Sequence, residues 1–242
     1  MVLRILYLIY YWLIAMPLFI VCTILTALIV MIGCTLGGRK FFSFYPGMIW
    51  SRITCYITLC PVKVRGREHL RRGQSYVFAA NHQGAFDIFL LYGFLGVPVK
   101  WMMKIGIYKI PFVGWACRSA GFIFVDNSSP RAALKSIKDA ERRLKDGASL
   151  AVFPEGSRSP DGRMKQFRKG AFQIARNLKL PIVPVSINGS FHALPTGSIT
   201  VHPHRLEVVI HPPLTVENDH PVDLQTLSDR TWEVIGAEVV GN

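Results

Sequence analysis

The chain is poor in acidic residues and nearly free of charge at its amino-terminal end. Its 242 residues hold 15 Asp and Glu against 28 Lys and Arg, a formal net charge of +13, and no charged residue occurs from Ile5 to Leu36. Excess positive charge favours an anionic partner, either nucleic acid or phospholipid. The uncharged run favours lipid, and the sequence contains no recognised nucleic-acid-binding module. We therefore expect a phospholipid partner and no nucleic acid.

Cysteines are few and widely spaced. The five cysteines form no C-x-x-C pair, and two of them, Cys22 and Cys34, lie inside the uncharged run. This spacing argues against a disulfide framework and against a cysteine metal site, and favours free buried thiols in a reducing compartment. The sequence also shows no internal repeat and no low-complexity linker. We expect no metal site and no resident cofactor.

The uncharged run predicts a membrane segment. It exceeds the roughly 20 residues that cross a bilayer core as a helix. A secretory signal is the alternative, but its apolar region is usually about 7–15 residues long; a lipoprotein cleavage site around Cys34 fits its flanking residues poorly. The basic residues that follow place the carboxyl side in the cytoplasm if the segment spans. Pro17 leaves open a shallow hairpin.

Residues 41–60 are rich in aromatic side chains and sparsely charged, as is typical of segments at the headgroup level of a membrane. An ordinary helix that covers the core is the alternative. We therefore expect residues 1–60 to be a membrane-anchoring helical segment and residues 61–242 to be the catalytic domain. The location implied is the cytoplasmic (inner) membrane, with the domain facing the cytoplasm.

From about residue 62, short apolar runs alternate with helical patterns. The expected strands are Tyr76–Ala80, Val99–Met103, Gly121–Val125, Ser149–Phe153, Ile182–Ile187 and Leu206–Ile210. The expected helices are Ile88–Leu95, Pro130–Lys145 with Ser129 as N-cap, Gly170–Leu178, and a final helix or two within Pro221–Val240. This alternation predicts an α/β domain with a central mostly parallel or mixed sheet flanked by helices.

Polar residues with catalytic chemistry follow the first of the long apolar strands. Asn81-His82-Gln83-Gly84-Ala85-Phe86-Asp87 comes directly after Ala80, at the strand end where α/β enzymes place their sites. Acyl transfer to an alcohol needs a base, and imidazole suits that role near neutral pH. A carboxylate on the other ring nitrogen fixes the tautomer, and Asp87 is placed to reach His82. A helix-capping role for Asp87 is the alternative.

A second polar segment, Phe153 to Ser159, follows another apolar strand. A glycine, a hydroxyl and an arginine at Gly156, Ser157 and Arg158 suit phosphate oxygens. Further cations follow at Lys165, Arg168 and Lys169. The alternative is a solvated turn with ordinary surface lysines.

Taken together, these segments resemble the glycerolipid acyltransferases, most closely the bacterial 1-acylglycerol-3-phosphate acyltransferases. His82-x-x-x-x-Asp87, Phe153-Pro154-Glu155-Gly156-Ser157-Arg158-Ser159 and Ile182-Val183-Pro184-Val185 carry the resemblance. Lys104 also stands where the family has a lysine, and the likeness covers roughly residues 60–215. Asn127 departs from the family, in which many members have an arginine associated with the acceptor phosphate; Arg131 is a substitute for that charge.

The resemblance implies transfer of a fatty acyl group from acyl-CoA or acyl-ACP to the sn-2 hydroxyl of lysophosphatidic acid, giving phosphatidic acid. His82 is implied as the base and Asp87 as its partner. The implied phosphate-binding residues are Glu155, Gly156, Ser157, Arg158 and Lys104. Oxyanion donors are expected among backbone amides near Gly156 or in the Gln83–Gly84 loop. Another acceptor, such as a lyso-ornithine lipid, and a non-catalytic membrane-anchored binding protein of the same fold are the alternatives.

Overall fold

A computed structural model describes residues 2–126, 128–144, 147–215 and 223–239. The helices of eight or more residues are α1 (Val2–Tyr10), α2 (Met16–Thr35), α4 (Tyr45–Ile57), α5 (Phe86–Phe94), α7 (Pro130–Leu144), α8 (Gly170–Leu178) and α10 (Leu224–Gly236). Shorter helices are α3 (Arg39–Phe42), α6 (Val113–Ser119) and α9 (Ser190–Ala193), together with 3₁₀ turns at Arg67–His69 and Ile105–Lys109.

The strands form one mixed sheet within the described residues. They are β1 (Val62–Arg65), β2 (Val77–Ala80), β3 (Val99–Lys104), β4 (Ile123–Val125), β5 (Ser149–Val152), β6 (Ile182–Asn188) and β7 (Leu206–Ile210). Their order is β1-β7-β6-β2-β5-β3-β4. Neighbouring strands are parallel except β6 and β7, which are antiparallel. The prediction of a central mostly parallel or mixed sheet flanked by helices is confirmed.

Most predicted elements are present with boundaries that either coincide or shift by one or two residues. Ser129 caps α7 as expected, since its Oγ accepts a hydrogen bond from the Ala132 amide at 3.2 Å. The strand β1 was not predicted, because its sequence VKVR alternates exposed cations with half-buried valines at the sheet edge and carries no long apolar run. Parts of the predicted final segment Pro221–Val240 lie outside the described residues, and α10 accounts for the rest.

The sheet separates two layers of helices because successive strand residues point to opposite faces. On one face Phe78, Ala80 and Val183 belong to a core that includes residues of α4 and α5. On the other face Val77, Ala79 and Leu150 pack with residues of α7, α8 and α10. We call these the α4–α5 face and the α7–α8 face.

The amino-terminal segment is one continuous helix, so the hairpin broken at Pro17 is not what the structure shows. A π-helical turn at Tyr11–Ala15 joins α1 to α2 immediately before that proline. Proline has no N–H to donate, and a local widening of the helix accommodates this loss without a break. Of the described residues, Val2–Thr35 forms the one helix that is long and apolar enough to cross a membrane, with a mean hydropathy of 2.7.

This helix packs against the rest of the chain along its length. The Tyr10 hydroxyl donates to the Ile57 carbonyl at 2.8 Å, and the Trp50 indole donates to Thr23 Oγ1 at 2.9 Å. Val30 and Cys34 are buried in the same core as Phe78. The opposite side of the helix remains apolar and exposed, as at Leu13, Ile20 and Ile32. Residues 1–60 thus share a hydrophobic core with the sheet; the domain boundary at residue 60 stays a prediction.

Candidate active site

The site begins at the carboxyl end of β2, where Asn81 fixes the direction in which the chain leaves the sheet. Asn81 is fully buried, its Nδ2 donates to the Ile187 carbonyl at 2.9 Å, and its Oδ1 accepts from the Ile187 amide at 2.8 Å. Both halves of the side-chain amide are therefore satisfied by one residue of the neighbouring strand β6. This pairing holds the start of the His82 loop against the sheet.

His82 and Asp87 meet as the sequence predicted. The His82 Nδ1 lies 2.7 Å from Asp87 Oδ2. The same oxygen accepts from the backbone amides of Gln83 at 2.7 Å and of Gly84 at 2.9 Å. Asp87 is fully buried, whereas the His82 side chain is 12% exposed. With a carboxylate accepting from Nδ1, the imidazole keeps its proton there and presents the Nε2 lone pair.

The turn between these two residues needs a small side chain at Gly84. A Cβ built at this position would lie 2.5 Å from the Ser190 carbonyl oxygen. No real side chain tolerates so short a contact with backbone, so the loop could not approach α9 with another residue there. Glycine at 84 therefore lets the loop fold back and places Asp87, in the first turn of α5, beside His82.

A stacked aromatic ring sets the plane of the imidazole. Phe153, which follows β5, lies with its ring centroid 3.9 Å from that of His82 and an interplanar angle of 8°. Since β5 is the parallel neighbour of β2, the two catalytic segments leave the sheet side by side. The Nδ1 hydrogen bond and this stacking together leave the ring little rotational freedom.

The Glu155 carboxylate accepts hydrogen bonds from the backbone of two loops. Its Oε1 accepts from the His82 amide at 2.7 Å, and its Oε2 accepts from the Lys165 amide at 3.0 Å. The residue is buried, and this burial raises the pKa of Glu155, while hydrogen bonds from the His82 and Lys165 amides act against the shift. The predicted contribution of Glu155 to phosphate binding stays a prediction; its contacts place its carboxylate between two loops.

The segment predicted to bind phosphate forms an exposed turn beside the Glu155 carboxylate. Gly156, Ser157 and Arg158 are exposed, in contrast to the buried residues that precede them. Gly156 has φ +78°, a backbone conformation that favours glycine, and a Cβ there would lie 2.9 Å from Arg168 Nε. The guanidinium of Arg168 therefore lies directly over the turn.

The side chain of Lys165 forms hydrogen bonds with the same turn. Its Nζ donates to Ser157 Oγ at 2.9 Å and to the Arg158 carbonyl at 2.7 Å. These contacts turn the Arg158 carbonyl toward the ammonium. The amides of Ser157 and Arg158 have no acceptor within the part of the chain that the structure describes.

Lys104 lies at the same edge of the sheet. It ends β3, whose parallel neighbour β5 leads into Phe153, and its side chain is exposed. The structure thus brings the predicted residues of three strands to one edge. Asn127, the departure from the family pattern, lies outside the described residues.

Two sets of amides expected to stabilise an oxyanion already have acceptors. Gln83 and Gly84 donate to Asp87, and the Gly156 amide donates to the Phe153 carbonyl at 3.0 Å. The amides of Gln83, Gly84 and Gly156 are therefore not free, because the same turns that position the side chains consume their N–H groups; an oxyanion donor near Gly156 or in the Gln83–Gly84 loop stays a prediction.

Sequence reasoning missed several residues that hold the site together. Gln83 is buried and donates from Nε2 to the Gly162 carbonyl at 2.8 Å, and the Ser159 amide donates to the His82 carbonyl at 2.8 Å. Their positions within the two polar segments were the available signal. Among the described residues, no group of three or more His, Cys, Asp or Glu side chains could hold a metal ion.

Comparison with known proteins identifies a family whose model matches this chain. The family model described as acyltransferase matches residues 61–188, which include β1 to β6 and both polar segments. The chain belongs to the acyltransferase family. A 1-acyl-sn-glycerol-3-phosphate acyltransferase of Pseudomonas aeruginosa is 32% identical to this chain over 186 residues. The matched region covers 75% of this chain and 71% of the relative.

Two further relatives extend the comparison. A chloroplast 1-acyl-sn-glycerol-3-phosphate acyltransferase of Arabidopsis thaliana is 35% identical over 73% of this acyltransferase and 49% of the plant protein. The chain thus spans about half the length of the plant relatives that it matches. The crystal structure of the 1-acyl-sn-glycerophosphate (LPA) acyltransferase from Thermotoga maritima superposes with a TM-score of 0.80 at 28% identity, covering 98% of this chain and 94% of that one.

Proposed function

We propose that this acyltransferase transfers a fatty acyl group from a thioester donor, acyl-CoA or acyl-ACP, to the sn-2 hydroxyl of lysophosphatidic acid, giving phosphatidic acid. The observation that carries the proposal is the His82–Asp87 pair, with its Nε2 side at the same sheet edge as an exposed, cation-rich turn. The names of the bacterial and plant relatives support this acceptor.

In the proposed mechanism His82 acts as a general base. Its Nε2 takes the proton of the acceptor hydroxyl while that oxygen attacks the thioester carbonyl carbon. The Asp87 carboxylate stabilises the imidazolium that forms and keeps the ring in place. Collapse of the tetrahedral species breaks the carbon–sulfur bond, and the imidazolium returns its proton to the departing thiolate. The transfer is proposed to need no metal and no redox cofactor.

The oxyanion of the tetrahedral species needs donors other than the three amides already engaged. We assign this role to the amides of Ser157 and Arg158, which lie close to His82 because the Ser159 amide bonds to the His82 carbonyl. Lys165 Nζ already donates to the Arg158 carbonyl of this turn. Preorganised amides of this kind stabilise developing charge without reorganisation at the moment of reaction.

The acceptor phosphate is assigned to the exposed turn and its cations. Arg158 and Lys104 supply charge at the sheet edge, Gly156 lets the anion approach the chain closely, and Ser157 supplies its hydroxyl, so that its amide stays with the oxyanion. Glu155 contributes to this site by holding the His82 and Lys165 amides rather than by touching an anion. Two like charges would repel, so a direct contact between this carboxylate and phosphate is not part of the proposal.

The amino-terminal helix is proposed to hold the domain against the membrane by lying along it. Tyr11 bonds to Ile199 near one end, while Cys34 is buried near the other, a span of about 35 Å at 1.5 Å per residue. That length exceeds the roughly 30 Å hydrocarbon core. A helix in contact with the domain over this distance would have to draw the domain into the bilayer in order to span it.

The exposed apolar side of this helix is therefore proposed to lie in one leaflet. Ile105, Ile110 and Trp115, which follow β3, are also exposed apolar residues, and α6 packs against α2. The α4–α5 face and the site edge would then meet the lipid, and the α7–α8 face would meet the cytoplasm. The cytoplasmic membrane and this orientation are part of the proposal.

Acyl transfer by the full-length protein in phospholipid vesicles tests the function. Labelled lysophosphatidic acid is supplied with an acyl-CoA, and the His82→Ala variant is compared with the wild type. We expect phosphatidic acid from the wild type and a loss of at least ~100-fold in rate in the variant, the usual contribution of a general base. Transfer to other lysolipids but not to lysophosphatidic acid would contradict the acceptor, and equal rates in both proteins would contradict the role of His82.

A further inference from the structure

The α7–α8 face carries a groove that the proposed reaction does not use. It lies between α7 and α8 and has a volume of about 300 Å³. Its lining residues are Leu134, Ile137, Lys138, Glu141, Lys169, Gly170, Gln173 and Asn177. We call it the α7–α8 groove.

An apolar side chain lies open in this groove. Leu134 is 53% exposed, and Ile137 beside it is half-buried. Among the described residues beyond 115, the exposed large apolar side chains are Leu134, Ile199 and Trp232. The membrane does not account for Leu134, because the groove lies on the side of the sheet opposite to α4 and α5.

Cations surround the apolar residues. Lys138 and Lys169 line the groove, and Lys135 is exposed on the adjacent turn of α7. None of the three lysines forms an ion pair within the described ranges of the chain. The acidic member Glu141 is engaged, since its Oε1 accepts from Asn177 Nδ2 at 2.7 Å. The groove wall therefore carries the exposed apolar side chain of Leu134 beside two lysines and one carboxylate, and Lys135 adds positive charge next to it.

The groove also opens at the active-site edge. α7 follows β4, and α8 follows the segment of Gly156 and Arg158, so both helices start at the carboxyl ends of the parallel strands. His82 follows β2 at that same edge. A partner seated in the groove would thus be next to the reacting centre and on the face turned away from lipid.

We propose that the α7–α8 groove docks an acidic, helical acyl carrier protein that brings the acyl thioester to His82. This inference rests on the proposed function and selects the carrier-borne thioester as a donor. An acidic helix would lay its apolar side on Leu134 and its carboxylates against Lys138 and Lys169, since opposite charges favour encounter and fix orientation. The flexible thiol arm of the carrier then reaches the site edge, and the acyl chain enters on the lipid side.

The test compares two donors in the full-length enzyme. Palmitoyl-acyl carrier protein and palmitoyl-CoA are each supplied with lysophosphatidic acid to the wild type, to the double variant Lys135→Glu/Lys138→Glu and to Leu134→Ala. The control is Arg72→Glu, an exposed cation before β2 at the opposite edge of the sheet. Binding of the carrier protein to His82→Ala enzyme, with and without the two lysine substitutions, is measured by calorimetry and does not depend on turnover.

The KM for the carrier-borne donor should rise about tenfold or more in the double variant, because reversed charges remove electrostatic steering and complementarity. Leu134→Ala should raise it as well, whereas Arg72→Glu and all palmitoyl-CoA kinetics should stay unchanged. Carrier binding to His82→Ala enzyme should be lost with the two lysine substitutions. Equal losses with both donors, or carrier binding that is absent or unaffected, would overturn the docking proposal. Transfer from palmitoyl-CoA would still stand as support for the proposed function.

Discussion

Replacing Glu155 by glutamine tests the idea that this residue positions His82 without touching substrate. The two carboxylate oxygens accept from the His82 and Lys165 amides at 2.7 and 3.0 Å. Glutamine has the same shape but offers one acceptor oxygen, and its NH₂ group would face the second amide donor. One of the two loops therefore loses its anchor in a buried site.

The size of the effect follows from the lost contact. A hydrogen bond to a charged group contributes about 1.5–3 kcal/mol, and an amide left buried without an acceptor adds its desolvation cost. If the loss of this hydrogen bond displaces the imidazole and raises the activation free energy by the same amount, kcat should fall by about 10- to 150-fold. The acceptor KM should change little, because the hydrogen bonds of the Glu155 carboxylate go to the His82 and Lys165 amides and not to Arg158 or Lys104. The two parameters separate positioning from binding.

The assay is steady-state transfer to lysophosphatidic acid in vesicles, with acyl-CoA held saturating. Arg158→Ala is the matched comparison, because we expect it to raise the acceptor KM with a smaller effect on kcat. Thermal unfolding of each variant shows whether the fold is retained. A Glu155→Gln enzyme with wild-type kcat and a raised acceptor KM would refute the positioning argument and move Glu155 to the phosphate site.

Two further predictions concern other buried groups. Asp87→Asn should lower kcat/KM by at least ~100-fold with the fold retained, because a neutral amide no longer stabilises the imidazolium that forms on His82; near-normal turnover would contradict the pairing. Burial lowers the pKa of His211, whose Nε2 lies 2.8 Å from Ser186 Oγ. In the unfolded chain His211 has its ordinary pKa of 6.5 and takes up a proton as the pH falls below that value. In the folded chain the pKa is lower and the proton is not taken up, so the free energy of unfolding should decline as the pH falls through this region. His211→Gln should show a shallower decline in melting temperature between about pH 7.5 and about pH 5.5, and an equal decline would contradict the assignment.

The sequence predicted the layers of the fold because its signals are local. Alternation of apolar strands such as Ile182–Ile187 with amphipathic stretches such as Pro130–Lys145 indicates an α/β sheet whatever the distant contacts. The edge strand β1 was not predicted, because its sequence VKVR contains too few apolar residues to form a recognisable strand pattern. A helix through the uncharged run was predicted, with a hairpin at Pro17 as the alternative, and the π-helical turn before the proline keeps the helix continuous.

The partnership of His82 and Asp87 could be predicted because the two residues are only five positions apart in the chain. The hydrogen bond from the His82 amide to Glu155 could not, since the two residues are 73 positions apart and the contact exists only because β2 and β5 are neighbours in the sheet. Oxyanion donors were predicted near Gly156 or in the Gln83–Gly84 loop, and local turns give the amides of Gly84 and Gly156 acceptors three residues away. Residue types thus determined which chemistry this chain can perform, whereas strand order and loop packing decided which polar groups hold the site and which face the substrate.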